Sequence, residues 1–131
     1  MAGKAAAIES GRSLERAVQA LATSLNLQSR RQVRVGRRVW GAVRVIDLVV
    51  WKDPFRRLGI ECKFQKIQGS TEEKIVATIQ DINAWPIDGI VAFGGPGFSG
   101  RMKAYLISTG KAVEFSELEA WLRLYFGLPL K

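Results

Sequence analysis

A carboxylate inside an apolar strand is costly for a folding chain, and this sequence places two of them within one hairpin. From Arg44 to Gln65 it reads RVIDLVVWKDPFRRLGIECKFQ, two strands joined by a turn over Lys52 to Arg57. Asp53-Pro54 is turn chemistry, which gives Asp53 a structural part. The first strand, Val43 to Val50, is apolar on both faces except at Arg44 and Asp47, the pattern of a strand covered on both sides. In the second, alternation puts Glu61, Lys63 and Gln65 on one face and Ile60, Cys62 and Phe64 on the other. Two carboxylates and an ammonium in such surroundings point to a divalent-metal site with a positioned cation beside it.

The remaining elements follow from periodicity and caps. Leu14, Ala17, Val18, Leu21 and Leu25 recur at helical spacing and predict a helix from Ser13, its N-cap, to Leu25. Next, five arginines fall within nine residues: Arg30, Arg31, Arg34, Arg37 and Arg38. Their alternation with valines predicts an exposed strand with one wet face, ending in a turn at Gly36. Planar guanidinium forks suit phosphate oxygens, so this strand is expected to bind a nucleic-acid backbone. Beyond the hairpin, Ser70 and Glu73 form a capping box ahead of Ile75, Val76, Ile79 and Ile82, predicting a helix that ends near Ala84 before Pro86. Lys66 and Lys74 flank its start, where a phosphate would be welcome. Gly89 to Gly94 reads as a core strand, parallel to the sheet because a helix precedes it. The loop Gly94 to Gly100 is read as a wide hairpin connection to a strand Met102 to Ser108. A last helix is expected from Ser116, boxed with Glu119, to a stop at Gly127. It is apolar on more than one face, which leaves open a dimer interface or complete burial within one domain.

With 131 residues the chain is expected to be a single domain, 1–131. A net charge of +8 and a pI near 10.2 suit a polyanionic partner, nucleic acid first. There is no histidine, which excludes imidazole-based nucleases, Ser-His-Asp and Cys-His hydrolases and typical zinc sites. The sequence has no P-loop, so no nucleotide cofactor is expected. No apolar run approaches the roughly 20 residues of a membrane span, and the N-terminus lacks a signal-peptide core. The single cysteine, Cys62, forms no intrachain disulfide and fits a reducing, cytoplasmic setting.

Ile46-Asp47 followed by Glu61-Cys62-Lys63, with Gln65 two places after the lysine, resembles the PD-(D/E)XK nuclease superfamily: an acid ending one strand, then acid-x-Lys on the next. Ile46 stands where the name-giving proline would. Gly11-Arg12-Ser13-Leu14-Glu15 is similar to the corresponding segment of phage junction-resolving endonucleases of that superfamily. The resemblance covers about Gly11 to Gly94. It implies an α/β, restriction-endonuclease-like core, a helix followed by a central mixed sheet flanked by helices, with a C-terminal hairpin and helix added. It also implies Mg²⁺, with Mn²⁺ able to substitute, held by Asp47, Glu61 and the backbone carbonyl of Cys62. Lys63 would orient the attacking water or stabilise charge on the phosphate, with Gln65 nearby. Glu15 is either a first-turn acid favoured by the helix dipole or an acid approaching the metal. The expected activity is endonucleolytic hydrolysis of DNA by a homodimer, selective for branched or junction DNA or weakly sequence-specific. The alternative is a catalytically inactive, basic nucleic-acid-binding domain of the same fold.

Overall fold

Strands that are apolar on both faces need cover on both sides, and the chain supplies helices to each. The computed structural model describes residues 8–37, 41–67 and 72–130. In chain order these form α1 (Gly11–Ser24), β1 (Gln28–Arg37), β2 (Val43–Trp51), β3 (Arg57–Phe64), α2 (Glu72–Ile82), β4 (Asp88–Gly94), α3 (Gly100–Ser108), β5 (Ala112–Glu114) and α4 (Phe115–Phe126). The strands make one mixed sheet in the order β1-β2-β3-β4-β5. The first three are antiparallel, and β4 and β5 are added in parallel by helical crossovers. The expected α/β arrangement, a helix and then a mixed sheet between helices, is what the structure shows.

Each sheet face has its own core. On one, α1 and α4 bring Leu14, Val18, Leu118 and Leu122 against Leu48, Val50, Leu58 and Ile60. On the other, α2 and α3 bring Ile75, Ile79, Ile82 and Leu106 against Ile46, Val49, Val91 and Phe93. Close approach on this second face depends on two glycines: the Trp85 ring lies over Gly59 and Gly89, and a Cβ on Gly59 would stand 2.6 Å from it. α4 buries Leu118, Leu122 and Phe126 and leaves Leu124 exposed, so most of its apolar surplus is used inside the domain.

Several local expectations are corrected. α1 begins earlier than Ser13: Ser10 is its N-cap, and Ser13 completes a reciprocal box, its Oγ accepting from the Ser10 N–H at 2.9 Å. α4 starts at Phe115, with Glu114 in the cap position and no side-chain cap bond, so Ser116 does not cap it. Gly127 does end it, at φ +66°. Gly36, at φ +112°, lies within β1 near a register shift between Arg34 and Arg37, and so bends the strand instead of ending it. The capping residue expected at Ser70 lies outside the described residues.

The largest correction concerns the C-terminal hairpin. Residues 102–108 lie within α3, and the sheet's last strand is Ala112–Glu114. Ser99 decides this, its Oγ accepting from the Met102 N–H at 3.1 Å as an N-cap. The preceding loop is tied to the end of β3: the Gly97 N–H donates to the Gln65 carbonyl at 2.8 Å, and Gln65 Nε2 donates to the Gly97 carbonyl at 2.9 Å. Pinned there, the chain starts a helix and does not fold back as a hairpin.

Candidate active site

β2 and β3 pair regularly from Trp51↔Arg57 to Leu48↔Ile60, and there the ladder stops. Continuing the register, the next rung would set Asp47 opposite Glu61. Side chains take over from backbone at this point. Glu61 Oε1 accepts from the Asp47 N–H at 2.9 Å, and Asp47 Oδ2 accepts from the Cys62 N–H at 2.9 Å. Each carboxylate thus occupies the place of a ladder carbonyl, satisfying a backbone donor on the other strand. This interlock fixes both side chains and leaves each with a second oxygen to offer a ligand.

Burial makes the pair electrostatically unfavourable without a cation. Desolvation, and then the Asp47 charge, push the Glu61 carboxyl up to about 7, against the bond from the Asp47 N–H. Asp47 is also raised, chiefly by desolvation, with Glu15 adding to the rise and the Cys62 N–H, Lys63 and the Gln32 amide opposing it. Lys63 acts on both carboxylates through space. It forms no ion pair within 4 Å among the described residues, so its ammonium is uncommitted.

The other residues singled out from sequence are distributed unevenly. Glu15 is buried on α1 and accepts from Arg31 Nε at 2.9 Å and Gln32 Nε2 at 3.3 Å. It is close enough to raise Asp47, yet among the described residues no group of three or more acidic, histidine or cysteine side chains converges as a metal-binding set. A divalent ion would therefore have two carboxylates, with backbone oxygen, water and phosphate completing its sphere, a donor set that suits Mg²⁺. Cys62 turns its thiol into the core beneath α1, where burial pushes its pKa well up, and its backbone runs in register with Ala92 of β4. Gln65 is buried just past β3, with its amide nitrogen committed to Gly97. Arg30, Arg34 and Arg37 are exposed on β1, Arg37 Nη1 donating to the Gly41 carbonyl at 2.7 Å. Arg31 is paired with Glu15, so it links α1 to β1. Lys66 and Lys74 are exposed, and Arg38 lies outside the described residues.

Two participants escaped the sequence reading. Arg44 Nε pairs with Asp81 Oδ1 at 2.9 Å, and Trp85 Nε1 donates to Asp81 Oδ2 at 3.3 Å, which places a third negative charge near enough to raise Glu61. The one cation in the largely apolar strand β2, Arg44, was the available signal. Gln32 sits at φ +53° within β1, a left-handed conformation costing about 1–3 kcal/mol for a residue other than glycine. Nothing in its residue type announces this.

Among curated proteins, no sequence matches this chain. One family model does, over residues 6–119, and its description is a PD-(D/E)XK nuclease superfamily domain.

Proposed function

The chain belongs to the PD-(D/E)XK nuclease superfamily, and from that premise we propose that it is a Mg²⁺-dependent endonuclease acting on DNA, selective for branched structures. The interlock of Asp47 and Glu61 carries the reading: two carboxylates, both raised by burial, fixed by each other's strands beside an uncommitted ammonium. Asp47, Glu61 and the Cys62 carbonyl would hold the ion. When bound, a divalent ion supplies Lewis acidity and a water of lowered pKa. Lys63 orients the attacking water and stabilises charge growing on the phosphate oxygens. Arg30, Arg34 and Arg37 grip backbone phosphates along β1, which sets affinity and salt dependence without reading bases. Glu15 and Gln65 support the site from α1 and from the end of β3. A homodimer would present one such site to each strand of a duplex or junction.

Incubation with supercoiled plasmid tests the activity. Nicking is expected with Mg²⁺, and none with EDTA or with Asp47→Ala. A protein that retards plasmid in a gel but leaves it uncut under every metal condition is a binding domain, and the nuclease proposal fails. Four-way junction, flap, duplex and single-stranded substrates, with cut sites mapped, then test the preference for branched DNA.

A further inference from the structure

Two consecutive side chains of β1 reach the same atom. Arg31 Nε and Gln32 Nε2 both donate to Glu15 Oε1, at 2.9 and 3.3 Å. Neighbours on a regular strand point to opposite faces, so an undistorted β1 would deliver one or the other. The left-handed backbone at Gln32 is what brings both to one side.

The distortion has a counterpart on β2. Pairing between the strands keeps one register on either side of it, Arg31↔Leu48 and Val33↔Ile46, which sets Gln32 opposite Asp47. Ile46 and Leu48, two residues apart, should share a face, yet Ile46 packs in the core under α2 and Leu48 in the core under α1. Both strands therefore turn over at the rung carrying Gln32 and Asp47. At that rung the Gln32 amide donates to Glu15 and, facing Asp47 across the strands, opposes the rise of its carboxyl.

We propose that Gln32 is a positioning residue of the Asp47–Glu61 site, its neutral amide bridging Glu15 on α1 and Asp47 on β2. This rests on the reading of that pair as a divalent-metal site. The neutrality of the amide matters at this position. A lysine or arginine between the two acids would hold them as well but would compete with the cation for Asp47, whereas an amide orients the carboxylates and leaves their charge intact. Because Gln32 is exposed, removing it disturbs little packing.

The test is Gln32→Gly, since glycine adopts the left-handed backbone freely and deletes only the amide. Its metal-free melting temperature is expected to match or exceed that of the unsubstituted protein. Its Mg²⁺ affinity by calorimetry should fall roughly 10-fold or more, and cleavage should be restored by raising Mg²⁺. Gln32→Asn, which tolerates the same backbone and keeps an amide, should recover part of the lost affinity. Wild-type metal affinity in Gln32→Gly overturns the inference, and so does equal loss in both variants. Should the unsubstituted protein bind no divalent ion, the metal-site reading itself falls. A protein that binds metal and cuts DNA with no help from Gln32 leaves that reading standing and removes only this one.

Discussion

Lys63 is the residue whose loss should separate binding from turnover. Its ammonium lowers both carboxylates through space without pairing to either, so Lys63→Met should leave metal and DNA affinity close to wild type. Single-turnover cleavage should drop by about 100-fold or more, the size expected for removing a charge aimed at the transition state. Wild-type cleavage by that variant would strip Lys63 of its role. Glu61 governs a second behaviour, the response of the metal-free protein to pH. Its carboxyl is raised from 4.5 to about 7, so between those values the folded chain holds a proton that the unfolded chain has released. The associated stability is complete below the lower value and declines as pH rises towards the upper one. Denaturant titrations in EDTA across that range should show a loss of up to about 3 kcal/mol, and Glu61→Gln should flatten it. Added Mg²⁺, which binds the deprotonated pair, should stabilise most at the high-pH end. Asp47, Glu61 and Lys63 were legible in the sequence because charge inside an apolar strand has few explanations. Gln32 was not, because a backbone dihedral leaves no mark on residue identity when the residue is neither glycine nor asparagine.

Among the elements, the β2–β3 hairpin was readable from alternation and from Asp53-Pro54, whose Asp53 Oδ1 accepts from the Phe55 N–H at 2.8 Å. α3 was not. Met102 to Ser108 is a short apolar run, and at that length strand and helix periodicities are indistinguishable. The cap at Ser99 and the tethering of the loop to Gln65, which decide the matter, are respectively a single residue and a tertiary contact. That tether depends on a missing side chain. A Cβ on Gly97 would lie 2.7 Å from the Gln65 carbonyl oxygen and 2.7 Å from backbone atoms of Ile67, none of which can swing aside. Gly97→Ala should therefore destabilise the protein by about 2 kcal/mol or more in urea titrations. It should also lower activity beyond the loss of folded protein, since the loop packs on the strand that carries Glu61 and Lys63. Full stability in Gly97→Ala would mean that the loop is free to move off β3.

At the scale of the whole molecule, the sign of the charge was evident from composition, but its distribution was not. Of the five arginines in the basic run, Arg31 is spent on Glu15, while Arg30, Arg34 and Arg37 remain exposed on β1. DNA affinity should therefore fall steeply with salt, and Arg34→Ala should weaken binding to all sequences alike. It should also reduce the slope of log K against log salt by about 0.9, as for one lost phosphate contact. An unchanged slope would move the DNA-binding surface away from β1.

Cys62 has a practical consequence of its own. It is the only thiol in the chain, it is sealed beneath α1, and its amide holds Asp47. An alkylating reagent can reach its sulfur only when β2 and β3 part from their helix. The rate of modification is thus a built-in clock for opening of the β2–β3 hairpin, and it should slow when Mg²⁺ is added.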